Sequence, residues 1–212
     1  STLLDGTFME TQIFYNKGKQ KGPHILIIAG LHGNEIAGIK AAEKLKTLVL
    51  KRGKLTIIPK ANIEACSNNI RYPYYMQDLN RSFPGKKQGT DTQKLAYELY
   101  TFIEKQSPDI ILDLHEWDTK FMNISKKPYN AIIINDIDAN LLPIIKESKK
   151  NIYNFDILSC PPKGSLNREV SENLKIPVLT IETDMEKEIE YRINAHLFII
   201  DSILDLLQEE GN

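Results

Sequence analysis

His32 and Glu35 stand three positions apart in Gly-Leu-His-Gly-Asn-Glu (30–35), directly after the apolar run His-Ile-Leu-Ile-Ile-Ala (24–29). A histidine and a carboxylate at that spacing are half of a metal site. They are equally what an ordinary strand-to-helix turn can carry. With four histidines in 212 residues, one such pair decides nothing. The question is whether a third ligand and further reactive groups converge on it. His115 ends the run Ile-Leu-Asp-Leu-His, and Glu182 ends the otherwise apolar Val-Leu-Thr-Ile-Glu. Arg71, Asn80 and Arg81 fall between them, in a long segment with no regular period.

Two imidazoles and one carboxylate form a common catalytic zinc set, with bonds of about 2.0–2.2 Å and a fourth position left for water. Structural zinc sites more often use cysteines, and Cys66 and Cys160 lack paired ligand spacing. A carboxylate at the end of a buried strand costs desolvation unless it is paired or used. Beside a metal, Glu182 is a natural general base. An arginine fork binds a carboxylate through two parallel hydrogen bonds, so Arg71 and Arg81 read as substrate-binding. His24 opens a strand and His196 lies beside an apolar helical stripe, so both read as structural.

The elements that must position these groups alternate between two periods. Residues 10–16 alternate polar and apolar and predict a strand at the sheet edge. Residues 24–30 form a continuous β-branched run, as expected of a strand buried on both faces. Helical spacing over 35–50 follows, then a strand at 54–60. Residues 61–89 carry Pro, Gly, Asn and Tyr, and so long an irregular connection in a compact domain is usually functional. Thr90 and Gln93 fit a capping box that opens a helix. Strands at 109–115 and 131–135 are followed by a helix at 138–150, a short helix at 165–174 and a last strand at 178–183. An apolar stripe at Ile189, Ile193, Leu197, Ile200, Leu204 and Leu207 predicts a final helix. This order implies a single catalytic domain over 1–212, an α/β fold with a mainly parallel sheet and helices on both faces. In such sheets ligands bind beyond the carboxyl ends of the strands. His32, Glu35, Arg71, Asn80, Arg81, His115 and Glu182 all follow strand ends, so one sheet edge should carry them all.

Composition narrows the partners. Apolar residues at 42% and charged residues at 26% are ordinary globular usage. A formal net charge of −1 argues against nucleic acid, which calls for a basic stripe. No apolar run is long enough to span a bilayer. Two cysteines are too few for a disulfide framework. No signal-peptide pattern opens the chain, and a cytoplasmic or an exported location remains open.

Four segments, Gly-Leu-His-Gly-Asn-Glu (30–35), Gln-Asp-Leu-Asn-Arg-Ser-Phe-Pro-Gly (77–85), Leu-Asp-Leu-His-Glu (112–116) and Leu-Thr-Ile-Glu-Thr (179–183), resemble in order and spacing the zinc carboxypeptidase superfamily. The branch they are most similar to is that of succinylglutamate desuccinylase and aspartoacylase. The resemblance runs from about residue 24 to residue 205. It implies that His32, Glu35 and His115 hold one zinc ion per chain and that Glu182 is general base, then general acid. It implies that Arg71 stabilises the oxyanion and that Asn80 and Arg81 clamp a substrate carboxylate. Arg168 falls where some relatives have another substrate-contacting arginine, with imperfect spacing to Glu182. The branch also carries a second, β-rich domain that narrows the site. Residues 183–212 read as one helix and leave no room for it, which puts selectivity for a small acyl-amino acid in question.

The resulting expectation is zinc-dependent hydrolysis of an amide bond next to a free carboxylate. The substrate is a peptide or an N-acyl amino acid. A covalent nucleophile has no support, because no Gly-x-Ser-x-Gly elbow exists, and neither does a phosphate-cradling glycine loop. The alternative of another class is a zinc-bearing peptide-binding module without catalysis, for which Glu182 would be superfluous.

Overall fold

A computed structural model describes residues 1–121, 129–135, 143, 145–146 and 153–209. Among these, nine strands form: β1 (Thr2–Leu3), β2 (Thr11–Gln12), β3 (Phe14–Lys17), β4 (Gln20–Ala29), β5 (Arg52–Ile58), β6 (Ile110–Trp117), β7 (Asn130–Ile134), β8 (Phe155–Ser159) and β9 (Val178–Asp184). The α-helices whose bounds are described are α1 (Ile36–Lys44), α2 (Ile63–Asn68), α3 (Asp91–Gln106), α4 (Leu166–Leu174) and α5 (Ile189–Glu209). Seven strands make one sheet in the order β3-β5-β4-β6-β9-β7-β8. Its centre, β5-β4-β6-β9, is parallel throughout. The edge strand β3 runs antiparallel to β5, and β7 runs antiparallel to β9 while parallel to β8. The sheet is therefore mixed and mainly parallel, as the alternation of periods predicts.

The β-branched run of β4 is buried on both faces, and its period of two sorts its side chains. Ile25, Ile27 and Ala29 join a core built with α1 and α5, through Ala37, Ala41, Ile193 and Ile200. Leu26 and Ile28 join a second core with α3 and α4, through Leu95, Leu99, Leu166 and Val170. Strand β6 divides in the same way, with Leu112 and Leu114 on the first side and Ile111 on the second. Helix α3 opens with the predicted capping box, in which Thr90 and Gln93 satisfy each other's backbone N–H groups. Ser165 caps α4 by accepting from the Arg168 amide at 3.2 Å.

Several elements depart from the sequence expectations. The segment 61–89 is not wholly irregular: α2 forms behind the Asn62 cap, and Leu79–Arg81 makes a 3₁₀ turn. Six and three residues are too short to show a period. The predicted strand at 10–16 splits into β2 and β3, and only β3 reaches the sheet edge. The small β1-β2 ladder and edge strand β8 were not expected. Most of the helix expected at 138–150 lies outside the described residues. Of the structural histidines, His24 places Nε2 2.8 Å from Thr56 Oγ1, and His196 is fully buried with Nε2 3.2 Å from Thr183 Oγ1. Cys66 is buried, Cys160 is exposed, and both are free thiols. Among the described residues no helix is long and apolar enough to cross a membrane.

The central strands carry the stability. Leu112 is wholly buried between β4, β9 and the α1-α5 layer, whereas Val49 is 89% exposed. Leu112→Ala should cost about 2–5 kcal/mol. Val49→Ala should stay within about 0.5 kcal/mol of the parent. Urea unfolding midpoints at constant m-value check both; equal losses would show that the sheet centre is not where the core lies.

Candidate metal centre

Because β4, β6 and β9 are parallel, their carboxyl ends open on one edge. His115 and Glu182 are direct register partners on β6 and β9, so their side chains leave the same face of the sheet. His32 and Glu35 come from the turn between β4 and α1. That turn lies against α2, and a Cβ on Gly33 would sit 2.0 Å from the Ala65 carbonyl, so only glycine fits. Gly30 holds a left-handed φ of 71°, which lets the chain leave β4 toward the site. Glu35 occupies the N-cap position of α1 but makes no capping bond with its side chain. The carboxylate is aimed elsewhere.

It is aimed at the two imidazoles. His32 Nδ1 lies 2.6 Å from Glu35 Oε1, and His115 Nδ1 lies 2.7 Å from Glu35 Oε2. The rings meet edge to face with centroids 5.2 Å apart. One ligand atom from each of the three residues falls within 4.8 Å of the others, and all three side chains are buried. Glu35 Oε2 is buried and, despite its closeness to His115, has no partner in hydrogen-bond geometry. Behind the rings, His32 Nε2 lies 2.9 Å from Asp78 Oδ1 and His115 Nε2 lies 3.1 Å from Asp113 Oδ2. Metal-ligating histidines usually give the other ring nitrogen to a carboxylate in this way. Two backed imidazoles whose remaining nitrogens face a buried carboxylate with an orphaned oxygen fit a zinc-type divalent cation.

The charges follow from the geometry. Burial alone would raise the Glu35 carboxyl, but His115 and then His32 outweigh it and hold it at about 2. Burial would lower both histidines. Asp113 and Glu35 instead raise His115 well above its ordinary value, and Glu35 and Asp78 raise His32. Burial also acts on Asp78, where His32 and Arg71 prevail and keep the carboxyl well below the usual range. Glu182 is different. Burial pushes it up to about 7, with Glu35 and Asp113 adding to the rise and His115 opposing it. Its Oε2 is shielded and has no hydrogen-bond partner.

Residues 21–146 match the family model of the succinylglutamate desuccinylase/aspartoacylase catalytic domain. The chain belongs to that family. An N-alpha-acetyl-L-2,4-diaminobutyric acid deacetylase from Halomonas elongata is 37% identical over 99 residues, 45% of this chain and 29% of that protein. Among solved structures, a succinylglutamate desuccinylase/aspartoacylase from Rhodobacter sphaeroides is 21% identical with a TM-score of 0.70, covering 93% of this chain and 59% of its own. The tripeptide-bound cell shape determinant Csd4 from Helicobacter pylori is 18% identical with a TM-score of 0.74, covering 93% and 55%. At these identities the two structures show a shared fold. The chain spans less than two thirds of the length of each of these relatives.

In this succinylglutamate desuccinylase/aspartoacylase family member, a cleft of about 460 Å³ opens over the centre. Arg71, Asn80, Arg81 and Glu182 line it together with His32, Glu35 and His115. Arg71 places Nη2 2.8 Å from Asp78 Oδ2 and Nη1 3.7 Å from Glu35 Oε1. Arg81 donates from Nη1 to the Asn80 carbonyl at 2.6 Å. Asn80 is half committed: its Oδ1 accepts from the Leu166 amide at 2.9 Å, while its Nδ2 lies 3.3 Å from His115 Nε2, which already faces Asp113. Arg168 is not brought to the cleft; its Nε lies 3.1 Å from Glu172 one helical turn along α4. Sequence reasoning missed Asp78 and Asp113. Asp113 was legible, since a carboxylate two residues before His115 on a strand shares its face. Asp78 had only its nearness to Asn80 and Arg81 as a signal.

The centre predicts a metal phenotype. His32→Ala and His115→Ala should each reduce bound zinc from about one equivalent to near zero, because a three-ligand set has no spare member. Cys66→Ala should keep it. Elemental analysis after dialysis reads all three, and full zinc in the His115→Ala protein would remove His115 from the ligand set.

Proposed function

We propose that this chain catalyses zinc-dependent hydrolysis of an amide bond next to a free carboxylate. The observation that carries the reading is Glu182. Its carboxyl faces His115 across two strands, raised by burial to about 7 and without a hydrogen-bond partner for Oε2, at the wall of a cleft that includes the three-ligand set. A group that only filled space there would leave a desolvation cost unmet. His32, Glu35 and His115 would hold a zinc ion, which would supply a Lewis acid and lower the pKa of bound water from about 15.7 towards about 7.

The chain's own residues supply the remaining steps. Glu182 accepts the proton of the attacking water and later returns it to the leaving nitrogen, a task suited to a carboxyl poised near neutral pH. Arg71 is held by Asp78 at the cleft and donates to the carbonyl oxygen as negative charge develops there. A preorganised donor of this kind contributes roughly 3–4 kcal/mol. Arg81 keeps guanidinium N–H groups beyond its bond to Asn80 for a substrate carboxylate. Asn80 has less to give the substrate through its oxygen, which the Leu166 amide occupies; its Nδ2 stays a donor for the ligand, because His115 Nε2 nearby already faces Asp113.

Two substrate classes share this chemistry. The Halomonas relative is named for deacetylating an N-acetyl diamino acid, and the Helicobacter structure holds a tripeptide. Both are amides whose amine side carries a carboxylate, and both suit Arg81. A panel of C-terminally free peptides beside N-acetyl and N-succinyl amino acids, each assayed with zinc, separates them.

Glu182→Gln keeps shape and removes the proton acceptor. Zinc content and fold should persist while kcat falls by at least about 10²-fold. Turnover at the parent rate would make Glu182 structural and sink the mechanism.

Arg81→Ala should lower kcat/KM by roughly ten- to 150-fold on substrates with a free carboxylate, the loss of a charge-assisted contact of about 1.5–3 kcal/mol. The matching amides never had the contact and should change little. Parent and variant are each assayed on an acid and its amide. An equal loss on both would show that Arg81 supports the fold or the metal, and the exo-acting specificity would go with it.

A further inference from the structure

Directly beneath the metal centre, on the other face of the sheet, lies a buried polar cluster that the mechanism does not use. Strand alternation turns Glu116 away from His115 toward α1 and α5. Its side chain is 2% exposed in the residue as a whole, and both oxygens are occupied. Oε2 accepts from the Ala37 backbone amide at 2.8 Å. Oε1 accepts from Arg192 Nη1 at 2.7 Å and from Thr183 Oγ1 at 3.2 Å. Thr183 in turn lies 3.2 Å from His196 Nε2.

The Ala37 contact has a specific meaning. The first amides of a helix have no intrahelical acceptor, and the N-cap side chain normally accepts from one of them. The N-cap of α1 is Glu35, which makes no such bond because its carboxylate faces the imidazoles. The vacancy is filled from β6 by the neighbour of His115. One carboxylate thus joins the first turn of α1, whose preceding residue is one metal ligand, to the strand residue following another. A negative charge is also favoured at that helix end.

Resting on the metal-site reading above, we propose that Glu116 is a positioning residue for the metal centre: it caps α1 in place of Glu35, freeing Glu35 to ligate and fixing its distance from His115. Without that cap, Glu35 can turn back to the free α1 amides, and the centre loses a ligand that the imidazoles then cannot replace.

The test compares zinc affinity with stability in the parent, Glu116→Ala, Glu116→Gln and Arg192→Met. Affinity is read by competition with a chromogenic chelator, and stability by the melting temperature with and without zinc. Partners that orient metal ligands typically hold about 10- to 100-fold in metal affinity, and Glu116→Ala should lose that much. The rise in melting temperature on adding zinc should shrink with it. Glu116→Gln keeps an acceptor for the Ala37 amide and should recover part of the loss. Arg192→Met removes the α5 tie and spares the cap, so it should lower stability in both states while leaving affinity within about threefold. If Glu116→Ala lowers both melting temperatures alike at unchanged affinity, Glu116 is structural and the proposal falls. Equal affinity losses in Arg192→Met and both Glu116 variants also overturn it, since general loosening would then be the cause. If Glu116→Ala does not fold, parent-like affinity in Glu116→Gln together with a tenfold loss in Arg192→Met decides against the cap. Absence of zinc binding in the parent would overturn the metal-site reading itself, a separate result.

Discussion

A carboxylate cannot be buried against two imidazoles unless something organises all three, and much of this molecule follows from that constraint. Glu35 is 2% exposed, with His32 and His115 within hydrogen-bond distance of its two oxygens. Desolvating such a group costs several kcal/mol unless charge or metal compensates. The compensation is layered: imidazoles around Glu35, then Asp78 and Asp113 behind the imidazoles. Each layer is itself buried or half-buried, so each needs a fixed partner. A parallel sheet meets the demand. It brings the ends of β4, β6 and β9 together at a spacing set by backbone hydrogen bonds, and both faces are covered by apolar layers that hold the strands rigid.

The two faces of β6 and β9 divide the labour. Asp113, His115, Thr180 and Glu182 lie on the face toward the cleft, with Thr180 Oγ1 3.4 Å from Asp113 Oδ2. Glu116 and Thr183 lie on the face toward α1 and α5. A period of two makes this partition automatic, and a slip of one residue would send His115 into the α1-α5 core. The apolar residues interleaved between these polar ones, Leu112, Leu114, Leu179 and Ile181, fix the register by having nowhere else to go.

Much of this was legible because strand ends in an α/β chain share an edge. The apolar runs around 24–30, 109–115 and 178–183 betray both the strands and the reactive residues that interrupt them. The structure brings His32, Glu35, His115 and Glu182 together, as well as Arg71, Asn80 and Arg81. Arg168 is not among them. Its partner Glu172 stands four residues on, a spacing that pairs side chains on any helix and gave a simpler account of the charge. Strand β8 escaped notice because an edge strand needs only one good neighbour; Phe155 alone in it is fully buried. The path of residues 61–89 was illegible for another reason. Its shape is set by side chain to backbone bonds, such as Gln77 N to Thr92 Oγ1 at 2.8 Å and Thr11 Oγ1 to the Ala61 carbonyl at 3.2 Å, which carry no period.

Asp78 shows what that irregular path achieves. Its Oδ1 accepts from the Asn80 amide at 2.9 Å and meets His32 Nε2 at the same distance. Its Oδ2 accepts from Arg71 Nη2 at 2.8 Å. One carboxylate therefore orients His32, starts the 3₁₀ turn that carries Asn80 and Arg81, and holds the arginine that faces the reacting carbonyl in the proposed mechanism. Asn80 extends the chain of contacts to His115 and to the first amide of α4. The proposed metal ligands and the proposed substrate contacts are in this way tied to one carboxylate. Groups joined so closely do not contribute independent increments, because removing one releases the others' geometry. A connection with little regular structure can be as exact as a strand where side chain to backbone bonds fix its path.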